Sequence, residues 1–243
     1  NYGVDEIYGG AAGFQVGSTF KPFVLTEWLT RNKGLYTNVT GDQSTWRGSD
    51  FTACGAPLTQ GTFKVSNSEG SGPSSITAMQ ATFDSVNLAY MDIASRLDFC
   101  NIAKTAEAMG VHLASTRGAD PDCFTGEVSL TKMPTQCPSM VLGSMVISPM
   151  TMANAYATLA AEGTYCPPTA VLSITDRAQK KATLGATKCV KDAISPDVAR
   201  GVVFAGKRVF TEGTAIGQGL KWPAGGKTGT TDNSVRTWFV GYT

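Results

Sequence analysis

The chain has 243 residues, of which 42% are hydrophobic and 16% are charged, and its formal net charge at pH 7 is +1. This composition is typical of a globular protein and excludes a disordered or fibrous chain. The balanced charge, with no long run of one sign, gives no basis for binding nucleic acid or an anionic membrane surface.

The single histidine, His112, restricts the possible kinds of active site. A Ser-His-Asp enzyme would have to use it, the chain has no Gly-x-Ser-x-Gly turn, and zinc sites built on several histidines are impossible. His112 follows Gly110 at a predicted helix end, so we interpret it as a local packing or capping residue.

The cysteines are six in number, and none forms a Cys-x-x-Cys pair. We therefore expect neither a metal nor any other cofactor. An even number of scattered cysteines is typical of disulfides in an exported protein. We favour Cys123 with Cys137, which closes a short proline-containing loop, and Cys166 with Cys189, which brackets a predicted hairpin; this leaves Cys54 with Cys100.

Residues 1 to 16 are rich in Gly and Ala and predict an irregular lead-in. After them, the stretch from Gly17 to Phe23, with the sequence Gly-Ser-Thr-Phe-Lys-Pro-Phe, predicts a helix that begins at Ser18. Proline is tolerated in the first turn of a helix but not in its interior, and Pro22 fits only such a start. The helix should continue to about Arg31 and end at Gly34.

The three-residue spacing of Ser18 and Lys21 places both on one face of this helix, so the Lys21 amine can reach the Ser18 hydroxyl. A serine needs a neighbouring base to act as a nucleophile, and a lysine shielded from water can be neutral enough to serve. A second Ser-x-x-Lys, at Ser129 to Lys132, precedes Met133-Pro134 without a helix start. We interpret this second copy as a coincidence.

Residues 35 to 73 contain many turn formers and predict a long surface excursion with short strands. From Ser75 the apolar spacing becomes helical, with helices predicted around Ile76 to Phe83, Leu88 to Leu97 and Ile102 to Met109. Ser85 and Asn87 lie in the tight connection between the first two of these helices. Such a connection can hold two short polar side chains at a fixed site.

The second half of the chain begins with an uncharged run from Met133 to Ala161, in which prolines and hydroxyls favour a buried segment over a membrane helix. No signal peptide or membrane anchor is recognisable in the sequence. The predicted elements are a helix from Ser148-Pro149 to Ala161 with Gly163 after it, a hairpin of Val171 to Thr175 and Ala182 to Leu184, a helix from Ser195-Pro196-Asp197 to about Phe210 ended by Gly213, and strands at Gly226 to Thr231 and Thr237 to Tyr242.

The third motif is Lys227-Thr228-Gly229-Thr230. It is similar to a phosphate-binding loop, but its glycine spacing differs from that motif and a strand follows it instead of a helix. On a strand, Thr228 and Thr230 point to the same side. Beside a cationic Lys227 they would hold an anionic group, most simply a carboxylate. Gly229 has no side chain to obstruct a substrate backbone.

Three motifs, Ser18-x-x-Lys21, Ser85-x-Asn87 and Lys227-Thr228-Gly229, occur in that order, and together they resemble the transpeptidase domain of penicillin-binding proteins. The likeness covers about residues 14 to 243 and favours the bifunctional, class A type. It extends to Phe20-Lys21-Pro22-Phe23, Leu142-Gly143, Ser148-Pro149, Ala155-Tyr156-Ala157, Gly163-Thr164-Tyr165 and Trp238-Phe239-Val240-Gly241-Tyr242. The paired cysteines suggest an actinobacterial member.

The resemblance implies a role for each matching residue. Ser18 would attack the D-Ala-D-Ala carbonyl of a peptidoglycan stem peptide, with Lys21 as its base. Ser85 would relay a proton to the leaving nitrogen, and Asn87 would hold the substrate amide. Lys227, Thr228 and Thr230 would bind the terminal carboxylate beside Gly229, and the backbone N–H groups of Ser18 and Thr230 would form the oxyanion hole.

The resemblance also implies an α/β (α+β) fold, in which helices flank an antiparallel sheet and an all-helical subdomain occupies roughly residues 35–165. Family members have more strands than this sequence predicts, so we expect one transpeptidase domain over 1–243, an excerpt of a longer chain with an incomplete sheet. The implied partners are peptidoglycan stem peptides, β-lactam antibiotics and a glycosyltransferase domain. The implied location is the extracytoplasmic face of the bacterial membrane, held by an anchor absent from this chain.

Two alternative functions remain open, a D,D-carboxypeptidase and a β-lactam sensor, whereas a class A β-lactamase is disfavoured. A class A β-lactamase needs a Glu-x-x-x-Asn setting, and no glutamate of the chain, including those at 27, 69, 107, 127, 162 and 212, has asparagine four residues on. A D,D-carboxypeptidase differs only in using water as the acceptor. A β-lactam sensor would be acylated without turnover. The acceptor amine and the preferred β-lactams are not defined by the sequence.

Overall fold

The computed structural model describes residues 13–59, 61–68, 70–114, 130, 138–182, 188–231 and 236–243. The helices in these residues are α1 (Lys21–Thr30), α2 (Ala78–Phe83), α3 (Asn87–Ser95), α4 (Phe99–Ala108), α5 (Pro149–Ala160) and α6 (Pro196–Thr211). The strands are β1 (Phe14–Gln15), β2 (Asn38–Val39), β3 (Thr45–Arg47), β4 (Thr52–Ala53), β5 (Ala56–Pro57), β6 (Thr62–Lys64), β7 (Ile76–Thr77), β8 (Val146–Ile147), β9 (Gly225–Thr230) and β10 (Thr237–Tyr242). Short 3-10 turns cover Gly17–Phe20, Gly48–Asp50 and Pro138–Leu142.

The strands in this part of the chain form antiparallel pairs, namely β1 with β8, β2 with β7, β3 with β6, β4 with β5, and β9 with β10. The pair β9 and β10 is the longest, with Thr230 opposite Thr237 and Gly225 opposite Tyr242. Helices combined with short antiparallel strands confirm the predicted α/β class. The division into a helical subdomain over 35–165 stays a prediction.

Helix α1 lies at the centre of the molecule and is buried from Lys21 to Trp28. It packs against α3, α4 and α6, and a helix that is covered on all sides is a core helix rather than an amphipathic surface helix. Tyr156 of α5 meets Phe23 edge to face, with ring centroids 5.9 Å apart. The packing of α1 therefore fixes the position of the chain next to Ser18.

A second apolar group lies under the excursion of residues 35 to 73, where the rings of Trp46, Phe63 and Phe99 surround Phe51. The disulfide Cys54–Cys100 joins this excursion to α4. This pairing and Cys166–Cys189 are confirmed. The third predicted pair, Cys123 with Cys137, lies outside the described residues.

The predicted helix starts at Ser148-Pro149 and Ser195-Pro196 are confirmed, because each serine hydroxyl accepts a hydrogen bond from a backbone N–H of the first turn. The predicted start of the helix around Ile76 to Phe83 lies too early in the chain. Ile76 belongs to β7 and not to α2, since Thr77 caps the helix by accepting from the Gln80 N–H. The lead-in is also not irregular throughout, because its end, β1, pairs with β8.

The predicted hairpin after Cys166 forms only near its turn in the residues that the structure describes, where the Ala182 N–H donates to the Ile174 carbonyl at 2.9 Å. A single bridge joins Thr175 to Lys181, and no strand ladder forms there; Leu184 lies outside these residues. Every residue from 168 to 182 is exposed. A two-stranded ribbon with no packed face is marginal in water, so its alternating apolar residues do not suffice.

The uncharged run from Met133 to Ala161 is described from Pro138 onward. It folds into a 3-10 turn, β8 and the buried face of α5, as predicted for a buried segment. Across the described ranges, no helix combines the length and the apolar character that crossing a membrane requires.

We predict that Gly143→Ala destabilises the protein more than Gly217→Ala. Both glycines have a φ of +79°, which costs a residue with a side chain about 1 to 2 kcal/mol. At Gly143 the new methyl group would also overlap the Gly17 carbonyl, whereas nothing lies within 4 Å at Gly217. Overpacking should add about 1 to 3 kcal/mol. Equal losses in chemical denaturation would contradict the contact between Gly143 and the Ser18 turn.

Candidate active site

The turn that carries Ser18 is held on several sides. The Val16 N–H donates to Met145 and the Gly17 N–H donates to Gly143, at 3.2 and 2.9 Å. The Thr19 hydroxyl donates back to the Val16 carbonyl, and the Tyr156 hydroxyl donates to the Thr19 carbonyl, both at 2.7 Å. Ser18 itself remains partly exposed between these contacts, as a nucleophile must be to meet a substrate.

The Lys21 amine lies at the first residue of α1, fully buried. Its Nζ donates to the Ser85 carbonyl and to Asn87 Oδ1, each at 2.7 Å, and lies 3.3 Å from Ser85 Oγ. Among the described residues no hydrogen bond joins Lys21 to Ser18, so the expectation that the amine reaches this hydroxyl stays a prediction. The three-residue spacing fixes a shared helix face, but the hydrogen-bond acceptors determine where the amine points.

Ser85 lies between α2 and α3 in a left-handed conformation, with a φ of +60°. Such a conformation is unusual for a residue with a side chain, and here it turns both the carbonyl and the hydroxyl of Ser85 towards Lys21. Asn87 opens α3, and its Nδ2 donates to the Ser66 carbonyl at 2.9 Å. The Asn87 amide is thus oriented from both ends, with its oxygen towards the lysine.

Strand β9 brings the third predicted motif to the same place. Lys227 is fully buried, and its Nζ donates to the Thr228 carbonyl at 3.1 Å. Thr228 is partly exposed and Thr230 is exposed, so the threonines face outward as predicted. A side chain at Gly229 would collide with Thr19 and with the Val16 carbonyl, at 2.8 Å from each. β9 therefore lies directly against the Ser18 turn.

The backbone of Thr230 lies next to this turn as well, since a side chain at Gly17 would come within 2.5 Å of the Thr230 carbonyl. The predicted oxyanion groups, the N–H groups of Ser18 and Thr230, are thus carried by adjacent segments. Their role as donors stays a prediction. Four stretches that are distant in sequence therefore meet around Ser18 and Lys21. They are the Ser85 connection, the segment at Gly143, helix α5 at Tyr156, and strand β9.

Burial changes the acidity of both lysines. Burial, followed by the nearby Lys227 charge, lowers the pKa of Lys21 well below its ordinary value. Burial lowers the pKa of Lys227 to about 7. Desolvation disfavours the charged form of an amine, so Lys227 is only partly cationic at neutral pH. This lowered pKa could not be predicted from the sequence, in which Lys227 is an ordinary cation.

Sequence reasoning missed the contacts that two aromatic residues make at this site, Tyr90 with the Lys21 amine and Tyr156 with the Ser18 turn. The Tyr90 ring lies under the Lys21 amine, 5.3 Å from ring centroid to Nζ, and the Tyr90 hydroxyl shares a 2.7 Å hydrogen bond with Thr82. Tyr156 holds the Thr19 carbonyl from 137 positions away. Tyr90 follows Asn87 by one helical turn, a spacing that could have identified it; no local signal identifies Tyr156.

His112 takes no part in the contacts of this site. His112 is exposed, and its ring nitrogens contact the Gly110 carbonyl and the Thr151 hydroxyl, at 3.1 and 3.2 Å. This matches its interpretation as a local packing residue. The second Ser-x-x-Lys at Ser129 lies outside the described residues. Within the described ranges, no cluster of three or more His, Cys, Asp or Glu residues could hold a metal ion.

Residues 11–243 match the sequence model of the family described as "Penicillin binding protein transpeptidase domain". Penicillin-binding protein 1A of Mycobacterium tuberculosis is 30% identical over 255 residues, which cover 100% of this chain and 29% of the relative. Penicillin-binding protein 1B of Haemophilus influenzae is 31% identical over 170 residues, covering 69% of this chain and 19% of the relative. The chain thus spans less than a third of these curated relatives.

Solved structures show the same similarity. The PonA1 protein from M. tuberculosis in complex with penicillin V superposes with a TM-score of 0.72 at 27% identity, covering 96% of this chain and 58% of that one. Penicillin-binding protein A of M. tuberculosis, an imipenem acyl-enzyme complex, reaches the same TM-score at 18% identity and covers 95% and 51% of the two chains. At that identity the likeness concerns the fold alone.

We predict that burial of Lys227 makes folding stability depend on pH. An unfolded lysine has a pKa of about 10.4, whereas folded Lys227 titrates at about 7. Between these values the unfolded state binds more protons, so stability rises with pH, by up to about 1.4 kcal/mol per pH unit for one proton. Lys227→Met should flatten this rise and increase stability at pH 6 to 7.

Denaturation between pH 6 and 10 measures this effect, with Lys64→Met as the control because Lys64 is exposed. The control should keep the wild-type slope. A Lys227→Met variant with the same slope as wild type would show that the buried amine does not cause the pH dependence.

Proposed function

The chain belongs to the penicillin-binding protein transpeptidase family, and on this premise we propose that it is a serine acyltransferase that acts on peptidoglycan as a D,D-transpeptidase. Ser18 takes the acyl group of a D-Ala-D-Ala stem peptide, releases the terminal D-alanine, and passes the acyl group to an amine of a second stem peptide. β-Lactams acylate the same serine. The observation that carries the proposal is the buried Lys21 amine, bound to Ser85 and Asn87 beside the Ser18 turn.

Proton counting explains how Lys21 serves as the base. A neutral amine has two N–H protons and one lone pair, and the Ser85 carbonyl and Asn87 Oδ1 can only accept hydrogen bonds. These two short contacts use both protons. The lone pair is left for the Ser18 proton, since the third neighbour, Ser85 Oγ, is further away at 3.3 Å. Catalytic hydrogen bonds often form only when substrate binds.

Acylation then proceeds with a closed proton balance. Ser18 Oγ forms a bond to the substrate carbonyl carbon and gives its proton to Lys21. The new ammonium has a third N–H, which it donates to Ser85 Oγ, and Ser85 passes its own proton to the nitrogen of the departing D-alanine. The C–N bond breaks, Lys21 is neutral again, and Ser18 carries the acyl group as an ester. The N–H groups of Ser18 and Thr230 stabilise the oxyanion.

Deacylation reverses these roles. An acceptor amine attacks the ester carbonyl and loses a proton to the base, the C–O bond to Ser18 breaks, and Ser18 regains a proton while the cross-linking amide forms. Asn87 holds the amide of the donor peptide. Before acylation, the terminal carboxylate of that peptide lies against Lys227, Thr228 and Thr230, where a buried, partly cationic amine adjoins two hydroxyls that face outward on β9. Charge-assisted contacts of this kind are strong.

The partners and the place of action follow from this chemistry. Peptidoglycan lies outside the cytoplasm, and disulfides such as Cys54–Cys100 persist in oxidising compartments. We therefore place the domain on the extracytoplasmic face of the bacterial membrane. A glycosyltransferase domain in the full-length protein would supply the glycan strands whose stem peptides are cross-linked.

We predict that penicillin acylates this protein once, at Ser18, through a long-lived ester. The intact mass should rise by one penicillin, and a peptide map should place the adduct on residues 17–23. Positioned base catalysis contributes about 10²- to 10⁴-fold, and the chain lacks the glutamate setting that would activate water, so hydrolysis should be slow. Ser18→Ala should carry no adduct, while Ser129→Ala should be labelled like wild type.

An adduct on folded Ser18→Ala, or one mapped to Ser129, would contradict the assignment of the nucleophile. With a stem-peptide donor, transfer to an added amine supports the transpeptidase. Release of free acid alone would indicate a carboxypeptidase, and stable acylation without turnover would indicate a sensor.

We also predict that substitutions of the two buried lysines impair different steps of the reaction. Lys21→Ala removes the base and should slow Ser18 acylation by at least about 10²-fold. Lys227→Ala removes a contact to the carboxylate that is worth about 1.5 to 3 kcal/mol, so it should weaken capture of the anionic substrate and largely spare the limiting acylation rate. Stopped-flow acylation at varied β-lactam concentration separates the two effects. Equal rates for wild type and Lys21→Ala would end the assignment of Lys21.

A further inference from the structure

The turn that follows α6, residues 212–218, touches both the Ser85 connection and β9. The backbone N–H of Thr214 donates to the Phe83 carbonyl at 3.1 Å, and Phe83 ends α2 two residues before Ser85. The Thr214 hydroxyl lies 2.6 Å from the Thr228 hydroxyl on β9. One residue therefore links two segments of the proposed active site, through its backbone on one side and its side chain on the other.

The position of Thr214 is fixed although its side chain is exposed. Gly213 packs so closely that a side chain there would overlap the Phe83 carbonyl. The Ala215 N–H donates to Val209 and the Ile216 N–H donates to Gly213, both at 3.0 Å. A hydroxyl on such a tightly bonded turn keeps its distance to Thr228 without having to be ordered when substrate binds.

The number of available protons determines which of the two hydroxyls donates when a carboxylate is bound. Each threonine hydroxyl has one proton, and at 2.6 Å one of them donates to the other. If Thr228 gives its only proton to a substrate carboxylate, Thr214 must be the donor in the pair. A hydroxyl that accepts a hydrogen bond is polarised and becomes a better donor itself.

We infer that Thr214 is a positioning residue that sets specificity for anionic acyl donors: it donates to Thr228 and so directs the single Thr228 proton at the substrate carboxylate. The inference rests on the proposed transpeptidase function and adds a residue that none of the three motifs contains. Without the Thr214 hydroxyl, the Thr228 hydroxyl can rotate and donate its hydrogen bond to water instead of to the carboxylate.

Acylation of Ser18 by a penicillin and by the methyl ester of the same penicillin tests this inference. Thr214→Val keeps the shape of the side chain and removes the donor. It should lower the second-order acylation rate for the free acid by about 3- to 10-fold, through weaker capture rather than a slower limiting rate. The rate for the ester should change by less than about two-fold, Thr214→Ser should restore the wild-type preference for the acid, and Thr211→Val, at the exposed end of α6, should behave as wild type.

The Thr228→Val background gives a second readout. Because Thr214 acts through Thr228, adding Thr214→Val to Thr228→Val should cause no further loss. The inference is overturned if Thr214→Val reacts with the acid as wild type does, or if acid and ester lose equally, which would indicate a merely structural role. If Thr214→Val does not fold, the acid-to-ester ratio of Thr214→Ala decides in the same way. Wild type that is not acylated at Ser18 would instead refute the proposed function itself.

Discussion

The site depends on two lysine amines, Lys21 and Lys227, that are both fully buried. Burial, followed by the nearby Lys227 charge, lowers the pKa of Lys21 well below its ordinary value. Burying a charged amine costs several kcal/mol, so the protein keeps such groups only where other interactions compensate. Desolvation makes Lys21 available as a neutral base, and it leaves Lys227 able to gain a proton when a carboxylate arrives. In the proposed function, burial of the two amines thus prepares both the acyl transfer and the recognition of an anionic donor.

The fold serves to hold these amines in place. α1 is covered on all sides, so Lys21 starts from a position set by the core. The Ser18 turn is fixed by Gly143 and Tyr156, and β9 lies against it with no room for a side chain at Gly229. Groups held by such supporting contacts can react without first reorganising. The cost in stability falls on the buried lysines, a common trade between stability and function.

Local chemistry explains which features the sequence could predict. The starts of α5 and α6 follow from serine caps and proline in the first turn, which act within a few residues. The three motifs, taken in order, identified the segments that meet at the site. The direction of the Lys21 amine could not be read, because Ser85 lies 64 positions away. The same holds for Tyr156 and Thr214, whose contacts depend on tertiary packing, and for the loop after Cys166, where alternation without a covering layer forms no ladder.

The central claim is that burial lowers the pKa of Lys21 far enough for its amine to act as a base. An NMR titration of the Lys21 side chain, labelled at Cε and Nζ and assigned by comparison with Lys21→Arg, measures this most directly. The account predicts that Lys21 loses its proton at a pH well below that of an ordinary lysine, with an apparent pKa that rises when Lys227→Met removes the neighbouring charge. A Lys21 that stays protonated up to about pH 10, as an ordinary lysine does, would contradict it.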